Sequence, residues 1–374
     1  MKRRFTLLIV MISLSFSSIT AQTTLSIGEF DPYLSEYFRP FARGIASGMG
    51  AGWAHTAEVH STLGFDVTIN LTIVNIPASA AGFSSSDIAS MQNDGYTFSG
   101  NEFPNIRSDG GPTTFINKNF DPIAGIGVLP AINFEALQGL NLGFAGSASL
   151  QAAVGLPKGT ELMIRFMPDI SGVANTALSA LGDTKLLPTM IWGLGVKHDI
   201  KQWIPVISKI PFLQVSGLLS YSKFTTGIKS GDLLITPENF GSPETVHDFS
   251  GANYSDQQFE MDVSSLTGSL LIGASIPVFQ PFVGIGFNRG KFDAGLTGTY
   301  PILELNEGLR TDGANLPTPF IVSENGTEKD PLIVDDIKTQ LNLQAGARIK
   351  LGFIVFHYQF TKQEYTDFLQ IIEC

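Results

Sequence analysis

Residues 65–75 read Phe-Asp-Val-Thr-Ile-Asn-Leu-Thr-Ile-Val-Asn, and this stretch decides the fold class. Phe65, Val67, Ile69, Leu71 and Ile73 alternate with Asp66, Thr68, Asn70 and Thr72, and only Val74 breaks the polar side. A period of two places successive side chains on opposite faces of a strand. The segment therefore has one greasy face and one polar face. Just upstream, residues 48–55 read as the first strand of the same hairpin. Before them, residues 33–45 read as a short aromatic helix.

The alternation recurs along the chain. Residues 140–154 set Leu140, Leu142, Phe144, Ala148, Leu150 and Val154 against Asn141, Ser147, Ser149 and Gln151. Residues 341–351 set Leu341, Leu343, Ile349 and Leu351 against Asn342, Gln344, Arg348 and Lys350. Ile354, Phe356, Tyr358 and Phe360 face away from Val355, His357 and Gln359, and residues 213–222 and 265–276 follow the same rule. Runs of about ten residues suit a tilted strand crossing a bilayer, whereas ordinary strands average about 5–6. One face must be apolar where it meets lipid. The other, rich in Gly, Ala, Ser, Thr and Asn, leaves room for a lumen. A secreted β-sandwich is the competing reading, but its strands would be shorter and its outer faces richer in Lys and Glu.

Composition supports the membrane reading. Of 374 residues only 15% are charged, with 39 Gly and 43% hydrophobic residues, against about 25% charged in a typical soluble chain. The net charge of −11 argues against nucleic acid as a partner. One cysteine, Cys374, rules out an internal disulfide framework. Residues 1–21 have a basic start (Lys2, Arg3, Arg4), an apolar run and a small-residue stretch ending at Ala21, the pattern of a cleaved signal peptide. The apolar run is shorter than the ~20 residues of a spanning anchor.

The expected architecture is all-β: a transmembrane antiparallel barrel of about fourteen strands, an even count being usual for bacterial single-chain barrels. Residues 22–374 form one domain, with a helix or hatch at 31–46, the barrel at 47–365 and an atypical tail at 366–374. The tail lacks the alternating pattern and reads as a truncated or frame-shifted end, which puts barrel closure in doubt. Residues 77–121 form a long connection with a helical piece at 85–91. Residues 236–256 and 301–336, polar and turn-rich, read as external loops.

Asp66, Glu161, Arg165, Arg348, Lys350 and His357 are the candidate polar residues of the lumen, with Glu161 and Arg165 close enough along one strand face to pair. Tyr37, Phe38, Arg39, Phe41 and Arg43 form the candidate hatch. Pro40 should kink it, and Arg39 and Arg43 have lumen carboxylates such as Asp66 or Glu161 within prospect, or lipid headgroups as the alternative. Trp192 and Trp203 suit the membrane–water interface, where aromatic rings settle. His55 and His60 flank a turn, but a spacing of five is weak for a metal site. The Gly-x-Gly pieces at 48–52, 193–195 and 284–286 lack the strand–turn–helix setting of a phosphate loop, and there is no nucleophile elbow. Neither an enzyme nor a cofactor is expected.

The segment 37–77, with GAGWAHTA followed by LGFDVTINLTIVNIP, resembles the opening of a Bacteroidota family of exported proteins of unknown function. GLGVKHDIKQWIP, residues 193–205, resembles that family's mid-chain signature. The resemblance implies an outer-membrane barrel inserted by the assembly machinery, and it carries no activity or site residues. An N-terminal plug before a long-stranded barrel is also similar to the long-chain fatty-acid transporters, in architecture alone. The expected function is a channel or transporter for small solutes, hydrophobic ones included, embedded in membrane lipid. The alternative is a non-transporting, partner-binding surface protein.

Overall fold

The computed structural model describes residues 26–119, 132–178, 185–229, 236–237, 246–248, 251–305, 320–351 and 354–373. Residues 1–21, read from the sequence as a signal peptide, Cys374 and about half of residues 236–256 lie outside them. Among the described residues no helix is long and apolar enough to cross a membrane.

The strand at 65–75 forms as its period requires. It is β1 (Phe65–Asn75), with every even-numbered residue buried and every odd-numbered one exposed. Nine more long strands follow: β2 (Phe144–Leu156), β3 (Thr160–Met167), β4 (Met190–Asp199), β5 (Leu213–Lys229), β6 (Gln258–Ala274), β7 (Phe279–Thr297), β8 (Leu332–Leu351), β9 (Ile354–Lys362) and β10 (Thr366–Glu373). Each pairs antiparallel with the next, and β10 returns to β1 with Glu373 opposite Thr68 and Thr366 opposite Asn75. The sheet is a closed up-and-down barrel with no free edge.

Several expectations are corrected. Among the described residues the ring has ten strands, not about fourteen, and the counted strand at 48–55 is not one of them. The 366–374 tail does not leave the barrel open, since Thr366–Glu373 is the closing strand. Residues 48–55 form no strand: the helix continues through them to Gly50 and then gives way to coil. Residues 301–336 are not a plain loop, because Thr299–Leu305 and Phe320–Lys329 pair as a hairpin and β8 begins at Leu332. Leu140 and Leu142 do not face outward; both pack against the interior apolar cluster.

Outward-facing positions form an apolar belt. Ile69, Leu71, Ile164, Leu194, Ile285, Phe287, Leu341 and Phe356 all expose their side chains. Trp192 shares this face and stands 5.6 Å from the Tyr221 ring, while Trp203 is 70% exposed at the end where short turns such as 157–159 lie. Inward-facing positions carry Thr, Ser, Asn and Gln. The opposite end bears the long connections, among them residues 76–119 and 132–143, which fold over the barrel as a cap. In that cap a 3-10 helix, Ser85–Asp94, covers the expected helical piece.

Candidate functional site: the plugged lumen

Helix α1 (Asp31–Gly50) enters the barrel from the capped end and contacts β1, β2, β5, β6, β7 and β8. Pro32 in its first turn suits a position whose N–H has no helical partner. Pro40 does not end it, although it removes one backbone donor. The coil 51–64 then carries the chain to the short-turn end, where β1 starts back up the wall. Residues 27–64 are thus a plug threaded through the lumen.

At the mouth the plug is held as in a soluble core. Tyr33 is 1% exposed and lies against Tyr37, Phe83 and Phe103, with ring centroids 6.5, 5.8 and 5.9 Å away. Its hydroxyl accepts the Leu137 N–H at 2.6 Å, and the Tyr37 hydroxyl donates to the Gln138 carbonyl at 2.9 Å. Phe38 packs on Phe259 of β6 at 5.8 Å, and Phe41 joins the same cluster. Beside it, Glu29 accepts from the Tyr96 hydroxyl (2.6 Å) and from Lys118 (2.8 Å). Burial first, and then the Glu29 charge, pushes the Tyr96 hydroxyl well above its ordinary pKa.

The plug's two arginines do not reach Asp66 or Glu161, contrary to expectation. Arg43 forms a fork onto Asp336 of β8 (2.8 and 3.1 Å) and also meets Glu364 at 3.1 Å. Arg39 bonds Glu36 one turn back and approaches Asp336 at 3.8 Å. Geometry explains the choice: these residues lie at the capped end, whereas Asp66 opens β1 at the other.

Below the mouth the wall turns polar and caps the helix. The last carbonyls of a helix have no partner within it, and wall side chains supply donors. Asn288 donates to the Ala46 carbonyl (3.2 Å) and Gln363 to that of Ser47 (3.1 Å). The Met49 carbonyl accepts from Arg165 (3.2 Å), Ser222 (3.2 Å) and the Trp53 indole (3.3 Å). Arg165 also donates to the Ala51 carbonyl at 3.1 Å and to Gln151, and its guanidinium lies 4.2 Å from the Trp53 ring centre. It does not pair with Glu161. A cation at a helix C-terminus also meets the negative end of the macrodipole.

The glycines of the mid-chain signature have their reason here. An added Cβ at Gly193 or Gly195 would come within 2.8 Å of the Trp53 ring. The missing side chains leave the seat of Trp53. Gly50 is constrained in the same way, since a Cβ there would meet Asn288 at 2.4 Å.

At the short-turn end the coil is fastened by ions. His60 lies between Asp66 (3.2 Å) and Glu161 (2.8 Å), and Glu161 also takes Lys197 at 3.0 Å. Arg348 stands 3.8 Å from Asp66, and Gln280 donates to Glu58 at 2.6 Å. His357 is buried beside His55, ring centroids 5.0 Å apart, and stacks on Phe282. Lys350 is half-buried on the same strand face as Arg348. Five of the six expected lumen residues are therefore buried inside. Trp53, His60, Lys197 and Gln151 complete the site without having been singled out for it. The signal for Lys197 lay in the alternation of β4, where it follows Ile191, Gly193 and Gly195 on the inward face. No group of three or more metal-binding side chains occurs among the described residues.

Among solved structures, the chain is similar to the translocator domain of autotransporter NalP from Neisseria meningitidis. Identity is 10% over 93% of this chain and 98% of that one, with a TM-score of 0.28. It is also similar to the copper transporter OprC (9% identity, 82% of this chain, 38% of that one, TM-score 0.27). A third is the outer membrane transporter YddB from Escherichia coli (8% identity, 82% of this chain, 41% of that one, TM-score 0.27). The chain thus spans about two fifths of each of those two transporters. No curated protein matches the sequence. The family profile matches residues 1–369, and the chain belongs to the family of unknown function DUF6588.

Proposed function

We propose that the protein is an outer-membrane channel or transporter for small solutes, closed at rest by residues 27–64. The observation that carries this reading is the polar seam between plug and wall. Below the mouth they meet through amides, hydroxyls and ions as well as through a small apolar cluster, in which Trp53, Ala54 and Ala57 of the plug touch Met163, Leu271 and Phe282 of the wall. Several buried wall atoms, including Thr68 Oγ1, Asn70 Oδ1, Ser216 Oγ, Ser220 Oγ, Thr267 Oγ1 and Asn342 Oδ1, have no protein partner. Buried polar groups are ordinarily satisfied by protein or by water, and an inert filler would be apolar. A hydrated seam is the natural beginning of a solute path.

Export through a cleaved signal peptide, insertion by the outer-membrane assembly machinery and hydrophobic solutes among the cargo belong to this proposal. So do a Bacteroidota origin and the likeness to fatty-acid transporters, which rest on the sequence resemblance alone. An enzymatic role is not part of it. A second reading, a non-transporting surface protein, is favoured by the apolar cluster that fills the mouth.

Flux into lipid vesicles separates the two. Wild type should admit a small neutral solute slowly, and Arg165→Met, which frees the helix C-terminus, should admit it at least several-fold faster. Absence of flux through both, with both barrels correctly inserted, would favour the surface protein.

A further inference from the structure

The lumen wall changes character at its outer end. Phe259 of β6, Leu296 of β7, and Leu332 and Val334 of β8 occupy inward-facing positions in the last turns of the wall before the cap. Opposite them the plug presents Phe30, the residue that caps α1, with Leu34 and Phe38 on the helix itself. Between these side chains and the wall lies a cavity of about 90 Å³, which Phe134, Leu137 and Ile27 also line. Phe30 is fixed edge-on to Phe134 (5.0 Å) and to Tyr96 (5.6 Å), so this wall is pre-formed.

The lining is apolar throughout. The one hydroxyl among its residues, that of Tyr33, is already committed to the Leu137 N–H. Among the described residues no charged side chain lines the space: Arg39 and Arg43 are bound to Glu36, Asp336 and Glu364. A carboxylate or ammonium group placed there would lose its hydration without compensation. A site for one water needs about 10–15 Å³ on the same measure, so the cavity holds roughly six to nine methylene-sized groups.

We infer that this cavity is a binding site for a small neutral apolar molecule, a hydrocarbon or single aromatic ring of roughly six to nine heavy atoms. The inference rests on the channel reading for its purpose: the plug supplies one wall, so a bound solute touches the element that must move. Binding itself does not depend on conduction, and the two fail separately.

The test uses the full-length mature protein in lipid nanodiscs, with fluorobenzene followed by fluorine NMR and empty nanodiscs as the partition control. Wild type should show saturable line broadening beyond the lipid control. Leu34→Trp, which fills the cavity from the plug side, should weaken binding tenfold or more. Leu296→Trp, which fills it from the wall, should do the same and carries the test if the helix variant fails to assemble. Octane should displace the probe and octanoate should not. Non-saturable partitioning equal to empty nanodiscs, or unchanged binding in an assembled filled variant, would overturn the site. Displacement by octanoate as readily as by octane would overturn its selectivity for neutral molecules. Saturable binding in a protein that passes no solute would leave the site standing and remove the channel.

Discussion

The upper and lower halves of the lumen hold the same plug with different proportions of apolar packing and polar bonding. Around Tyr33 and Phe38 the contacts are aromatic and dry, shared with Phe103, Phe134 and Phe259. Around Met49, Trp53 and His60 a smaller apolar cluster with Met163, Leu271 and Phe282 is joined by hydrogen bonds and ion pairs to Arg165, Ser222, Glu161 and Lys197. Water can replace the polar bonds at modest cost, because a protein hydrogen bond is worth only about 0.5–1.5 kcal/mol net. It cannot replace the apolar packing. The mouth should therefore behave as a folded core and the deeper half as a latch.

The mouth should show the largest effect. Tyr33→Ala removes a fully buried ring and is expected to cost about 3–5 kcal/mol, read as a lowered urea midpoint in lipid vesicles. A loss below 1 kcal/mol would erase the distinction between the halves.

The outer face gives an independent standard for the barrel itself. Ile69 is 51% exposed and points away from the lumen. Arg at this position should cost about 2–4 kcal/mol if it lies near the bilayer midplane, seen as reduced insertion. Normal insertion would contradict the membrane reading of the apolar belt.

The latch should respond less in stability and more in dynamics. Arg165→Met is expected to cost about 2 kcal/mol, the scale of hydrogen bonds to a charged group. Faster hydrogen exchange should appear in 51–64 while the cap stays protected. Equal loss of protection in both regions would mean that the plug is one cooperative unit.

The smallest effect is expected at Arg43, whose partners Asp336 and Glu364 are partly exposed. Such pairs are worth about 0–1 kcal/mol, so Arg43→Ala should barely move the urea midpoint.

Faces were legible in the sequence wherever lipid and lumen lie on either side of a strand, as in β1, because period two is a local property. Strand number was not, since residues 48–55 carry a strand-like alternation without forming a strand. The glycines at 48, 50 and 52 imitate an alternating strand. In the protein Gly48 and Gly50 lie on a helix pressed against Val74 and Asn288, where a Cβ would not fit. The closing strand was missed because its place is set by backbone pairing to β1 and β9, which leaves no mark within its own residues. The lumen's charged residues could be guessed by parity, but their partners could not. Asp66–Arg348 and Arg43–Asp336 each join positions nearly three hundred residues apart.

The central claim is that residues 27–64 are a gate and not a permanent filling. An ideal Cβ on Gly44 of the plug would lie 3.3 Å from the Ala145 Cβ of the wall, close to the separation a disulfide spans. Gly44→Cys with Ala145→Cys, in a Cys374→Ser background, should form that bond. Single-channel recording in planar bilayers then compares one protein in two states. Silence when oxidised, with openings that appear on adding reductant and resemble those of Cys374→Ser alone, is the predicted result. Identical traces before and after reduction, whether silent or conducting, would contradict it.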